Sequence, residues 1–266
     1  MNLITQLYFP LTIVLAISSL SLHLLARLGK LGQRLLDKLT QAPGIDLVLI
    51  YFMILPLFVG WFVSSWAGIG VALAAQFSML WLWIAAHELL HYKTRAEPKI
   101  FPTLSRIVGT WQNHLAVWIT LLALPCFWTV RFAEVVAYPP LTWLVGFPKY
   151  QAKDWVNVSR QKFEGLIGYD LIWCLYCDWM TGVWSLGTEM LRNVESFWCP
   201  IRFYNHKKCE NCKLDFPDVE NDWVKSTDKM KDVAELIHCK YAGVEKNAWF
   251  GHSSRITHYK EPQVKN

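Results

Sequence analysis

The chain has 266 residues, 53% of them hydrophobic and 15 of them Trp, with a formal net charge of +5 at pH 7. The charge is carried by short basic loops, so no separate basic patch suggests nucleic acid as a partner. Acids are unevenly spread: 1–147 holds only Asp37, Asp46, Glu88, Glu97 and Glu134, and the other sixteen follow. The first half therefore reads as membrane-embedded and the second as largely water-exposed.

In chain order, apolar segments fall near 5–26, 45–66, 69–90 and 108–130. Each approaches the ~20 residues needed to cross a bilayer. The first lacks a basic n-region and a small-residue cleavage site, and is expected to be a retained helix. The second and third are expected to be joined by a turn at Ala67-Gly68-Ile69-Gly70. Segment 132–147 is shorter and carries Pro139-Pro140, which suits a short return span or a re-entrant piece. Arg27, Lys30, Arg34 and Lys38, then Lys93, Arg95, Lys99 and Arg106, form two basic loops. The positive-inside rule places both in the cytoplasm.

Residues 163–198 read as one or two helices, and Gly165–Gly187 is apolar enough to be a further span. Asp170, Cys174, Cys177, Asp178, Thr181, Ser185 and Glu189 recur at helical spacing as one polar stripe. Trp173, Tyr176, Met180 and Val183 lie largely on the other side. Residues 213–223 are loop-like, and a final helix is expected over about 228–241, ahead of a polar tail. The expected fold is all-α: a polytopic helical membrane protein of four to six spans with a small Cys-rich cytoplasmic C-terminal domain. Its divisions are a transmembrane bundle (1–147), an amphipathic segment (148–198) and a Cys-rich region (199–266).

Chemistry concentrates in His87-Glu88-Leu89-Leu90-His91, at the end of the third apolar segment. Positions four apart share a helix face, so both imidazoles can reach one metal ion with the Glu88 carboxylate beside it. Polar side chains at membrane depth are costly unless they serve a purpose or find partners. The alternative is a structural role inside the bundle. Candidates for a third ligand are His114, Glu134, Glu164, Asp170, Asp178 and Glu189.

These five residues resemble the signature of zinc metallopeptidases, including membrane families that carry HExxH on a transmembrane helix. The resemblance implies His87 and His91 as zinc ligands and Glu88 as the general base, acting on a membrane-associated peptide. The same residues followed by a basic loop also resemble the first histidine box of membrane alkane hydroxylases and desaturases. That resemblance implies iron and oxidation of a lipid-like substrate. The other six His, at 23, 114, 206, 238, 252 and 258, are scattered and form no further box.

Six of the seven Cys lie in the second half. In a reducing compartment they are thiols or metal ligands rather than structural disulfides. Cys199, Cys209 and Cys212, with His206, His238 or Cys239, have the makings of a structural zinc site. Trp173-Cys174-Leu175-Tyr176-Cys177 resembles the W-C-x-x-C of thioredoxin-like proteins, which implies thiol–disulfide exchange at Cys174 and Cys177. A non-catalytic membrane assembly or metal-handling factor is the reading from another class.

Overall fold

A computed structural model describes residues 2–25, 27–94 and 97–256. Arg95 of the second basic loop and His258 lie outside the described residues. Among those residues the regular structure is helical, with two isolated β-bridges, Gln41–Asn157 and Ile201–Val224. Three helical stretches are long and apolar enough to cross a membrane: Ile4–Leu25, Gly44–Leu90 and Thr110–Leu144. They mark the chain as a membrane protein.

The chain divides into two compact units, Met1–Leu124 with Ala152–Gly182, and Pro125–Gln151 with Val183–Asn266. In the first unit, helix α1 is Ile4–Leu25 and the amphipathic helix α2 is Gly29–Leu39. The stretch Gly44–Leu90 is broken at Ser64 (φ −156°, ψ 38°) and Ser65 (φ 46°, ψ −130°). It thus forms two arms, α3 (44–63) and α4 (66–90). These arms are antiparallel, because the Gln76 side-chain amide donates to the Phe52 and Met53 carbonyls at 2.6 and 2.9 Å. In a straight helix, residues 24 apart would be about 36 Å apart.

The reversal therefore comes a few residues before the expected Ala67–Gly70 turn. The glycines act in packing instead. A Cβ on Gly60 or Gly68 would run into the backbone carbonyl of the other. Two small residues let the arms close directly behind the turn, as small residues do between membrane helices. The Gln76 bonds have their own logic. Residues 50–54 form a wide π-turn, a geometry that disturbs the regular backbone ladder. Pro56, four residues after Phe52, also has no N–H to give, and Gln76 supplies donors to the Phe52 and Met53 carbonyls.

α1 packs on both arms. Tyr8 donates to Ser78 Oγ at 2.8 Å, and Ser18 and Tyr51 share a hydroxyl bond of 2.6 Å. Early α1 thus meets the middle of α4, and late α1 meets the end of α4, where His23 stands beside His87 and His91. α1 and α4 run in the same direction, with α3 returning between them in sequence. Helix α5 (Ile100–Val108) follows, and α6 is the stretch Thr110–Leu144. Pro139 and Pro140 do not split α6, because they sit at the start of a new helical turn after a π-turn at 133–137. Early positions of a helical segment tolerate proline, since their N–H groups need no helical partner.

Helix α7 (Gly168–Trp198) is a single helix of 31 residues. It is not among the stretches apolar enough to cross a membrane. Its expected polar stripe divides by burial: Asp170 and Glu189 are buried, while Cys177, Thr181 and Ser185 are exposed.

In the second unit, Leu186, Asn193 and Ser196 of α7 are almost fully buried, and Glu189 is 7% exposed. Arg131 and Glu134 form a buried ion pair at 2.6 Å. Helix α8 (His206–Cys212) sets Cys209 and Cys212 against a cluster of Phe216, Val219 and Trp223, and helix α9 (Met230–Tyr241) follows in the chain. Asp218 accepts from Ser196 Oγ and Trp223 Nε1.

Two outcomes are expected in thermal unfolding of the detergent-solubilised protein. Gln76→Leu should cost about 1–3 kcal/mol by removing both side-chain bonds to the Phe52 and Met53 carbonyls. Gly68→Leu should lower Tm further, by overpacking the hairpin.

Candidate functional site

His87, Glu88 and His91 occupy the last turn of α4. The His87 and His91 rings stack with centroids 4.3 Å apart. The addition that the sequence reading missed is His23, near the end of α1. Its ring lies edge-on to both, at 5.8 and 5.9 Å. Three imidazoles from two helices thus form one cluster. A signal for this was present in the sequence: His23 precedes the first basic loop as His87 and His91 precede the second.

The ring nitrogens have unequal surroundings. His91 Nδ1 lies 2.9 Å from the His87 carbonyl. That bond requires the proton on Nδ1 and leaves Nε2 with a free lone pair. His87 Nδ1 receives the Gly168 N–H at 3.3 Å. His23 Nε2 lies 3.4 Å from the Arg27 guanidinium. As placed, no group of three His, Cys, Asp or Glu among the described residues converges on a metal position.

Glu88 also meets Gly168, the residue whose N–H reaches His87. Its Oε1 pairs with Lys99 Nζ at 3.1 Å. Gly168 is its seat: a Cβ there would strike the Glu88 carboxyl, and its φ of +56° favours glycine. The next two residues build the surroundings. Tyr169 stacks on Trp81 (5.9 Å) and on His114 (6.1 Å), and meets the edge of Phe101 at 4.8 Å. Asp170 accepts the Ile100 and Phe101 N–H groups at 2.7 and 3.0 Å, which caps the N-terminus of α5. Glu88 borders a cavity of about 520 Å³ with largely apolar walls that include Trp81, Ile84, Leu89 and Phe101.

The candidate third ligands have other partners. His114 borders that cavity with its Nδ1 3.4 Å from the Tyr169 hydroxyl. Asp170 holds α5. Asp178 accepts the Ser159 and Arg160 N–H groups at 2.8 and 3.2 Å, tying a loop to α7. Glu134 pairs with Arg131, and Glu164 is exposed. Within the second unit, Glu189 pairs with Arg192 at 2.8 Å and accepts from Trp249 Nε1 at 2.7 Å and from Tyr150 at 3.3 Å. Its Oε1 is also 3.8 Å from His252 Nε2. Burial still holds His252 below the ordinary histidine range.

All seven thiols are free. Cys209 and Cys212 pack against the Phe216–Val219–Trp223 cluster together with Phe250, while Cys199 and Cys239 are exposed. Cys174 is half-buried and Cys177 exposed on α7. Burial raises the Cys174 thiol above its usual range, against the pull of the Arg160 guanidinium. An activated redox thiol is shifted the opposite way.

Compared with protein-family models, with curated proteins and with solved structures, the chain matches none of them.

Two outcomes follow for solution measurements. Cys174 should alkylate with iodoacetamide more slowly than a free thiol at neutral pH, as read by peptide mass spectrometry, because less of it is thiolate. A His held neutral by burial stabilises fully above the unfolded value of ~6.5 and loses that contribution as pH falls below it. Tm should therefore drop on acidification below that value, and drop less in His252→Gln.

Proposed function

We propose that the chain is a polytopic membrane enzyme whose reacting centre comprises His23, His87, His91 and Glu88, and that the reaction is a metal-dependent hydrolysis. The observation that carries this reading is the arrival of His23 beside the HELLH pair. Three histidines and an adjacent carboxylate are a donor set that suits catalytic zinc, which takes three protein ligands and leaves a position open. The Nδ1 bond of His91 is the kind of outer contact that orients a ligand imidazole. For His87 to bind through Nε2, its weak contact with the Gly168 N–H must be given up.

The ion, when bound, supplies a more acidic water and polarises a carbonyl. The chain's own residues do the rest. Glu88 accepts the proton of the attacking water. Lys99, already 3.1 Å from Glu88, is placed to donate to an oxygen that gains negative charge. Gly168 leaves room for the carboxylate, and the aromatic residues around Tyr169 limit water on the cavity side.

In this reading α1, α3 and α4 each cross the bilayer, both basic loops face the cytoplasm, and the histidine cluster sits at the cytoplasmic interface; α6 does not cross, since Gly168 beyond it packs on Glu88 at that same end of α4. The C-terminal region is then cytoplasmic as well.

Element-resolved analysis of the detergent-purified protein tests the centre. Wild type is expected to carry zinc. His23→Ala, His87→Ala and His91→Ala should each lose it, and Glu88→Gln should keep it. Cys209→Ser/Cys212→Ser, whose thiols pack on an apolar cluster, should also keep it. Zinc absent from wild type, or retained in all three histidine variants, contradicts the proposal. Iron in its place moves the chemistry to oxidation.

A further inference from the structure

Two short helices stand at the end of the first unit where the histidines lie. α1 has 22 residues, and its length of about 33 Å is close to the ~30 Å of a hydrocarbon core. α2 begins at Gly29, just past it. α5 begins level with the last turn of α4. Lys99 reaches Glu88 at 3.1 Å, and Asp170, next to the segment that meets Glu88, accepts the first N–H groups of α5. A membrane that α1 and α4 cross therefore has its headgroup layer at α2 and α5.

Each of these helices carries aliphatic side chains that the protein does not cover. On α2, a Cβ on Gly32 would run into the Leu25 carbonyl, and Leu36 and Leu39 on the same side are half-buried. That side faces the protein. At about 100° per residue, Leu28, Leu31 and Leu35 fall beside it. They are uncovered, and Leu31 is 79% exposed. Lys30, Arg34 and Lys38 form the next row, and all three are exposed. α5 repeats the arrangement. Its Ser105 faces the protein and accepts from Asn113 at 3.1 Å. Ile100, Leu104, Ile107 and Val108 are exposed, with Arg106 beyond them. α2 has a single acid, Asp37, which Lys162 engages at 3.6 Å, and α5 has none. Tyr92 after α4 and Trp111 after α5 are exposed as well, and both residue types favour the headgroup level.

We propose that α2 and α5 lie in the headgroup layer and form a binding surface for anionic lipid. Their aliphatic rows enter the first methylenes of the tails, and Lys30, Arg34, Lys38 and Arg106 take the charged headgroups. This rests on α1 and α4 crossing the bilayer, as in the reading above, and not on the histidine chemistry. Aliphatic rows that would be costly in water are at home at the acyl boundary. Cations bordering such a row keep their stems on its apolar side and extend their charges to the headgroups. Arg27 with the three cations of α2 makes four basic residues directly past a spanning helix, the pattern that an anionic leaflet attracts. Each is worth about fivefold in preference for such a surface. A symmetric contact with a second copy through these faces would oppose cation to cation.

The test uses the full chain, with its native cysteines replaced, in nanodiscs of phosphatidylcholine alone or mixed with phosphatidylserine. Nitroxide labels at Leu31→Cys and Ile107→Cys should be open to oxygen and shielded from a water-soluble nickel chelate. A label at Gln33→Cys, on the polar face of α2, should show the reverse. Spin-labelled phosphatidylserine should be held at the protein about threefold or more better than spin-labelled phosphatidylcholine. Lys30→Gln/Arg34→Gln/Lys38→Gln/Arg106→Gln should bring that ratio towards one, and Lys30→Arg/Lys38→Arg should keep it. In the neutral variant the Leu31 label should stay in lipid, which shows α2 still in place. Labels at Leu31 and Ile107 that are open to the chelate overturn the proposal. A lipid preference that is absent, or that the neutral variant retains, also overturns it. Labels shielded from both reagents put a second copy or another protein on these faces and overturn it too. None of these readouts depends on zinc, so the lipid surface and the metal centre fail separately.

Discussion

A helix immersed in lipid has to satisfy every backbone group from within itself or from a neighbour. The stretch 44–90 meets that constraint at its two irregular places, and the rest of the first unit follows from how it does so. At Ser64–Ser65 the chain abandons helical geometry and reverses. At 50–54 the widened turn, followed by Pro56 with no N–H, takes two side-chain hydrogen bonds from Gln76 on the returning arm. The two devices fix the register of α3 against α4. With that register set, α4 runs parallel to α1, and its last turn must finish beside the end of α1. The meeting of His23 with His87 and His91 is a consequence of this geometry.

Three consecutive residues at the start of α7 then complete the surroundings. Gly168 offers its N–H to His87 and its missing side chain to Glu88. Tyr169 is the ring on which Trp81, Phe101 and His114 converge. Asp170 spends both oxygens on the first N–H groups of α5, which sets Lys99 and Phe101 where they border the cavity. A single helix start therefore positions the base, its cationic partner and the apolar wall. Arrangements in which adjacent residues serve different elements leave no periodic trace in a sequence.

What the sequence made legible was the apolar segments and the HELLH pair at the end of one of them, because length and four-residue spacing are local properties. The turn was misplaced because glycines read as turn formers, whereas Gly60 and Gly68 are there for close packing, and the turn itself uses two serines. Pro139-Pro140 read as an interruption because a π-turn upstream, invisible in composition, made room for it. The polar stripe of α7 was correctly placed on one helix. The roles of its acids were not legible, since Asp170 caps a helix some 70 residues earlier in the chain and Glu189 holds Trp249, about 60 residues later. His23 stood as one of several scattered histidines until the parallel course of α1 and α4 gave it neighbours.

The most direct test of the account is whether late α1 touches the last turn of α4. In a variant with the native cysteines replaced, His23→Cys/His91→Cys and Tyr8→Cys/Ser78→Cys would be treated in membranes with a short bifunctional thiol reagent, because the paired contacts are between side-chain tips, and their cross-linked fractions compared. The account predicts intramolecular cross-linking in both pairs. Cross-linking of the Tyr8–Ser78 pair alone would show α1 packed on α4 without the histidine cluster, and would contradict the centre described here.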